Sequence, residues 1–312
     1  MDHAYGNSPK PDLREPEDVT EWPDGVHRLG VDRNDIPIIL HLPNWHREQS
    51  LVGNLMLQKP CVLILTTQQN IFNQICLQLS KVMPPTSGDG ADKNWRNQED
   101  NYRRAKGEVT GRIKIATAWH AIGHSVSSLL CLIFIESLSF GQKDDPVPSS
   151  TILASGRKFA AATRALQEFE TLGHRLNTIL KELDPGSAAQ YEELREKAQD
   201  EFAFLRALNT LDPSLWQGRM ILFNSQAPPH VDSRNPPAEW TPLLAGGNFT
   251  SGGCLFIHNI KLRLRYLPGD LIFIRGWALT HSVEQWEGGQ RISIVYFTHE
   301  SVWQHFKCRL TL

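Results

Sequence analysis

Two histidines, one aspartate and one arginine are spaced for iron chemistry. His230 and Asp232 stand two residues apart, His281 follows about fifty residues later, and Arg291 ten residues after that. Two imidazoles and one carboxylate form a facial donor set for non-heme Fe(II) that leaves coordination positions open. The same nitrogen and oxygen donors, with no thiolate among them, also bind Ni or Co in vitro. In a strand, residues i and i+2 point to one face, so the short segment H-V-D can offer an imidazole and a carboxylate to one ion. His281, from a later strand or loop, closes the face.

Arg291 opens R-I-S-I-V-Y-F, whose alternation places Arg291, Ser293 and Val295 on one side of a strand. A guanidinium grips a carboxylate through two parallel hydrogen bonds, and Ser293 adds a hydroxyl. Beside an iron triad, the ligand that suits this pair is the distal carboxylate of 2-oxoglutarate. Its keto-acid end would fill two iron positions and O2 the last. The expected chemistry is oxidation of a C–H bond coupled to release of succinate. Asn224, six residues before His230, is read as orienting the cosubstrate or a neighbouring ligand, or as closing a strand-end turn.

The elements that must position these groups follow from pattern. The chain has 312 residues, 40% of them hydrophobic, and a formal net charge of −2. That composition supports a sizeable core and excludes a global basic field. Five widely spaced cysteines (Cys61, Cys76, Cys131, Cys254, Cys308) without C-x-x-C argue against a disulfide framework or a thiolate zinc site. They point to a reducing compartment, the nucleus or cytosol, and not to secretion. The longest apolar run, Leu129 to Ile135, is too short to span a bilayer.

Residues 1–30, proline-rich and polar, are expected to be a flexible tail, and 31–312 a single domain. Within it, 31–210 would supply N-terminal strands and helical support, and 211–312 the iron-binding β core. Strands are expected at Pro37–Leu40, Cys61–Leu65, Gly111–Ala118 and Leu130–Phe134. A helix carrying Ile71, Ile75, Leu79 and Val82 inward should end at Pro84-Pro85, before a long polar loop to residue 107. One long helix should bury Phe159, Ala162, Leu166, Phe169, Leu176, Leu180 and Leu183. Asp184-Pro185-Gly186 breaks it, and Ser187 with Gln190 resembles a capping box for the next helix, with Tyr191, Leu194, Ala198 and Phe202 inward. From residue 220 onward, short strands alternate with glycine turns, the texture of a barrel or jelly roll. The fold class is therefore read as α+β, a double-stranded β-helix (jelly-roll) core with N-terminal strands and a buttressing helical layer.

The stretch from Asn224 to Val302, about a quarter of the chain, resembles the Fe(II)/2-oxoglutarate dioxygenases. It looks most like the fungal members of the TET/J-binding-protein group. The resembling pieces are F-N-S-Q-A-P-P-H-V-D, G-G-N-F-T-S-G-G-C-L-F-I, L-R-Y-L-P-G-D-L-I-F-I-R-G, H-S-V and G-Q-R-I-S-I-V-Y-F-T-H. The resemblance implies His230, Asp232 and His281 as iron ligands and Arg291 as the cosubstrate arginine. It also implies oxidation of methyl groups on DNA bases, 5-methylcytosine or N6-methyladenine. The cysteine-rich extension of animal members is absent, so any grip on DNA must be built otherwise.

A base in a duplex must be flipped to reach buried iron, which calls for phosphate contacts and aromatic rings. The segment 93–114 carries Lys93, Arg96, Arg103, Arg104, Lys106, Arg112 and Lys114 with Trp95 and Tyr102 interleaved. It reads as a DNA-facing loop or as a solvated one. Neutralising Arg103 and Arg104 should then weaken binding and flatten its salt dependence. Lys261, Arg263 and Arg265 alternate as a second basic face. Trp119, Trp240 and Trp277 are each read as pocket lining or as core. Ser233-Arg234-Asn235, after the triad carboxylate, touches phosphate or turns the chain. His120 and His124 form H-x-x-x-H without the glutamate of zinc proteases. The partner is thus duplex DNA carrying methylated bases, with no membrane and no obligate protein partner. The alternatives are hydroxylation of a protein side chain or small metabolite, and a non-catalytic jelly roll that retains a metal site.

Overall fold

The computed structural model describes residues 19–45, 62–87, 98–120 and 145–311. The strands are β1 (Thr20–Glu21), β2 (Arg28–Val31), β3 (Pro37–Leu42), β4 (Gly111–Ala116), β5 (Gly218–Phe223), β6 (Thr241–Gly247), β7 (Ser251–Gly252), β8 (Leu255–Ile257), β9 (Leu262–Leu264), β10 (Leu271–Ile274), β11 (His281–Val283), β12 (Trp286–Glu287) and β13 (Arg291–Phe297). The helices are α1 (Val62–Val82), α2 (Arg157–Glu168), α3 (Glu170–Leu183), α4 (Pro185–Glu201), α5 (Ala203–Leu211) and α6 (Glu300–His305). None of the described helices is long and apolar enough to cross a membrane.

A seven-stranded sheet runs β2-β3-β10-β6-β13-β5-β4, a four-stranded sheet runs β1-β9-β8-β11, and β7 pairs with β12. Strand alternation divides the large sheet into two faces. Ile113, Ile221, Leu244, Phe273, Ile292 and Ile294 join the helical layer in one core. Ile39, Leu243, Ala245, Ile272 and Ile274 meet Leu255, Ile257, Leu262 and Leu264 of the small sheet in a second core. The molecule is therefore a mixed α/β protein with two sheets facing each other and helices on the outer side. Because β2, β3 and β4 belong to the large sheet, the β core is not confined to 211–312.

Several expectations are corrected. The span read as a tail already contains β1 and β2 from residue 20 onward. β1 pairs in parallel with β9 and β2 antiparallel with β3, while Trp22 packs on the second core. Val62–Leu65 is helical and begins α1, not a strand, since short apolar runs are ambiguous between the two. α1 buries Phe72, Ile75, Cys76 and Leu79, leaving Ile71 and Val82 on its exposed side. The long helix is two, parted at Phe169, whose buried ring meets Phe72 at 6.2 Å between centroids. Phe159 lies exposed. α4 is capped by Asp184, which accepts from the Ser187 amide at 2.9 Å, so Ser187 sits inside the helix and is not its cap. The strand expected at Leu130–Phe134 lies outside the described residues.

Candidate metal and cosubstrate site

The H-V-D segment is not a strand. Pro228 and Pro229 precede it without amide hydrogens, and only an isolated bridge forms, between His230 and His281. In that bridge the His230 amide donates to the His281 carbonyl at 3.0 Å, and the His281 amide donates back at 2.9 Å. The two imidazoles stand side by side with ring centroids 4.3 Å apart. Each Nδ1 lies 2.8 Å from the carbonyl two residues upstream, Pro228 or Leu279. Donating Nδ1–H there leaves both Nε2 lone pairs for a metal.

Asp232 is placed by its amide, which donates to the Gly276 carbonyl at 2.9 Å. Its carboxylate oxygens lie 3.8 Å from His230 Nε2 and 4.0 Å from His281 Nε2. Among the described residues, this is the one group of three or more potential ligands whose donor atoms converge, all within 4.8 Å. Two neutral nitrogens and one carboxylate, on one face, fit an octahedral divalent ion that keeps other positions open.

Arg291 is buried on the inner face of β13, between the sheets. Its guanidinium carbon lies 5.1 Å from the Tyr266 ring, 5.5 Å from Trp286 and 5.9 Å from Phe249. Nη1 donates to the Ser225 carbonyl at 3.3 Å and to Ser293 Oγ at 3.2 Å. Nε, Nη2 and the buried Ser225 hydroxyl have no hydrogen-bond partner, and the Tyr266 hydroxyl lies beside the guanidinium without a well-formed hydrogen bond. Burial pushes the guanidinium pKa down and the Tyr266 phenol up. Buried polar groups are normally paired, so several unpaired ones around a cation suit an absent anion. Tyr266, Ser225, Phe249 and Trp286 were not singled out from sequence. The inward alternation of Leu262, Leu264 and Tyr266 is the signal that could have found Tyr266.

Asn224 is fully buried and its amide is spent on protein. Oδ1 accepts from the Arg291 amide at 2.8 Å and from Gln290 Nε2 at 3.0 Å, and Nδ2 donates to Glu108 at 2.6 Å. It therefore holds Arg291 in place. Its φ of 51° turns the chain out of β5.

The basic residues separate into distinct groups. Arg103 is tied to Glu108 at 2.9 Å and to the carbonyls of Gly289 at 2.7 Å and Trp286 at 3.3 Å. Burial acts to raise the Glu108 pKa, but hydrogen bonds from Arg103 and Asn224 bring it below the usual value. Arg104, exposed, pairs with Glu99 at 3.2 Å, and Lys106 is exposed. Arg96 and His124 lie outside the described residues. Arg263 pairs with Glu21 and Glu284, and Arg265 with buried Asp270, so neither belongs to an open basic face. Arg112 and Lys114 lie half-buried on β4, with Lys114 Nζ 3.0 Å above the Trp119 ring. Arg234 is exposed beyond Asp232, and Trp277 is 45% exposed beyond Gly276. Trp240 is core, its Nε1 donating to Asp184 at 3.0 Å.

No family model and no curated protein matches the sequence. Among solved structures, the chain is similar to NgTET1 in complex with 5mC DNA, with a TM-score of 0.53 and 14% identity, covering 91% of this chain and 83% of that one. It is more distantly similar to a 2OG-Fe(II) oxygenase family oxidoreductase from Burkholderia pseudomallei, with 24% identity over 26% of this chain and 43% of that one, at a TM-score of 0.24. A viral collagen prolyl hydroxylase from Paramecium bursaria Chlorella virus-1, as its 2OG complex, has 11% identity over 60% of this chain and 93% of that one, at 0.25. The likeness to NgTET1 establishes a shared fold.

Proposed function

We propose that the protein is an Fe(II)/2-oxoglutarate-dependent dioxygenase that oxidises methyl groups on DNA bases, built on a double-stranded β-helix. The observations that carry the reading are buried Arg291 on the inner face of β13, with two nitrogens lacking a hydrogen-bond partner, and the converged donor atoms of His230, Asp232 and His281. His230, Asp232 and His281 would hold Fe(II). Arg291, with Ser293 and the Tyr266 and Ser225 hydroxyls, would hold the distal carboxylate of 2-oxoglutarate. When bound, iron and the keto acid together supply oxidising power from O2, with succinate and CO2 as coproducts.

The protein's own part is placement. The Pro228 and Leu279 carbonyls fix the imidazole tautomers, and the aromatic walls around Arg291 keep water from competing for its charge. The DNA assignment is supported by the fold shared with NgTET1 in its 5mC DNA complex. The test is succinate release that requires both Fe(II) and 2-oxoglutarate. Equal release by wild type and His230→Ala would end the enzyme reading. Duplex oligonucleotides bearing 5-methylcytosine or N6-methyladenine, digested and read by mass spectrometry, test the substrate. If neither base changes, the DNA assignment fails, and hydroxylation of a protein side chain or metabolite takes its place.

A further inference from the structure

Three cations, Arg112, Lys114 and Arg234, gather beside the metal face. The register of the large sheet aligns Lys114 with Met220 and Val295, and Arg112 with Leu222 and Ser293. These six side chains therefore share the inner face that also carries Arg291. Lys114, Met220, Leu222 and Val295 are only half-buried, so this part of the face forms a ledge open to solvent. Adjacent strands lie about 4.8 Å apart, which puts the Arg112 and Lys114 backbone roughly 10 Å from the strand of Arg291.

Arg234 approaches the ledge from the other side. It follows Asp232 by two residues, and its carbonyl accepts from the Glu300 amide at 2.8 Å. His299, next to Glu300, meets the Trp119 ring at 4.9 Å between centroids, and Lys114 sits over that same ring. Among the described residues, no carboxylate pairs with Lys114 or Arg234. Burial, and then the charges of Arg112 and Arg234, draw the Lys114 pKa down to about 7. A half-buried ammonium that meets an indole and two like charges lacks the anion that would stabilise it.

We infer that Arg112, Lys114 and Arg234 form a phosphate-binding subsite, with Lys114 as the residue that selects a substrate carrying a phosphate next to the group to be oxidised. The inference rests on the iron-oxygenase reading of the neighbouring site and deepens it. The anion is a phosphodiester of a polynucleotide or the monoester of a free nucleotide.

The experiment uses a labelled duplex oligonucleotide containing 5-methylcytosine, titrated at several salt concentrations against wild type, Lys114→Met, Lys114→Arg and, as an outer control, Arg104→Ala. Lys114→Met should weaken binding about tenfold, as expected for one charge-assisted contact. It should also lower the slope of log affinity against log salt by about one. Lys114→Arg should restore most of both, and Arg104→Ala should change neither by a comparable amount. Competition by 5-methyl-deoxycytidine monophosphate at equal phosphate concentration assigns the site to a monoester, and failure to compete assigns it to the diester. Succinate released from 2-oxoglutarate without DNA is measured on the wild-type and Arg104→Ala samples and should be equal for the two. Binding and salt slope unchanged in Lys114→Met overturn the subsite. Absence of succinate from wild type instead overturns the iron-oxygenase reading, so the two failures are distinguishable.

Discussion

Gly276 lies against the carboxylate of Asp232 so closely that a Cβ on the glycine would sit 2.4 Å from Oδ2. The Gly276 carbonyl also receives the Asp232 amide. One residue thus sets both the backbone and the side chain of the carboxylate ligand. Gly276→Ala should displace the carboxylate and weaken divalent metal binding roughly 10- to 100-fold, the usual effect of disturbing a ligand's support. Anaerobic titration with Fe(II) or Co(II), by calorimetry, checks this. Wild-type affinity in the variant would mean that the close approach does not hold the ligand.

Arg291→Met should separate cosubstrate binding from folding. Burial disfavours the guanidinium charge, and replacing an under-compensated buried charge by an apolar chain is often neutral or stabilising. Without 2-oxoglutarate, the variant should melt within a few degrees of wild type. With it, only wild type should gain in melting temperature. The KM for 2-oxoglutarate should rise roughly 10- to 100-fold, from about 1.5–3 kcal/mol of charge-assisted hydrogen bonding. Tyr266→Phe should give a smaller rise of about fivefold. A Met variant that fails to fold, while Arg291→Lys folds and binds normally, would make Arg291 a structural pillar.

Asn224 carries two demands, a left-handed backbone and three side-chain polar contacts. Asn224→Gly keeps the backbone and loses the contacts, whereas Asn224→Ala loses both. Glycine should cost about 1–3 kcal/mol for the unpaired buried groups, and alanine roughly 1 kcal/mol more for the positive φ. Chemical denaturation measures the difference, and equal stabilities would remove the backbone argument. Both variants should raise the KM for 2-oxoglutarate, since the Arg291 amide is released.

The proposed phosphate subsite predicts that Lys114 gives DNA affinity a direction in pH. Its pKa is lowered to about 7 by burial first, and then by Arg112 and Arg234. A bound phosphate favours the charged form and raises that pKa. A group whose pKa is higher in the complex favours binding most below its free value, and the advantage is lost as pH rises through the bound value. Affinity should therefore fall between about pH 7 and about pH 10, the ordinary lysine range. His299, Glu300 and His120 also lie on this side, and the profile of Lys114→Met isolates the part that belongs to Lys114. An equally steep pH profile in that variant would assign the titration elsewhere.

Arg103 should behave as scaffold. With Glu108 and two carbonyls as partners and Trp286 under its guanidinium at 5.2 Å, Arg103→Ala should lower the melting temperature. It should leave the salt slope of DNA binding unchanged. A drop of about one in that slope would return Arg103 to the DNA contacts.

What could be read from the residues was the chemistry carried by spacing. His230, Asp232 and His281 do converge, and Arg291 and Ser293 do share an inward strand face. What could not be read was proximity between distant segments. Nothing local in Gly276 marks it as the neighbour of Asp232, and Tyr266, Trp286 and Phe249 meet around Arg291 only once both sheets are formed. Charge along the chain also misleads where an acid lies close in sequence or in space. Arg103 looked available until Glu108 and the carbonyls of the Trp286–Gly289 turn engaged it. Val62–Leu65 failed for a different reason, since four apolar residues satisfy a strand or a buried helix equally.

The paired backbone hydrogen bonds between His230 and His281 have a consequence for how this centre can change. Main-chain atoms hold the two positions together, so their side chains can be exchanged without dissolving the connection. A cysteine or a carboxylate introduced at either position would still be delivered to the same point in space. The proposed ligand set would thereby be open to re-engineering toward other metals, with the scaffold left in place.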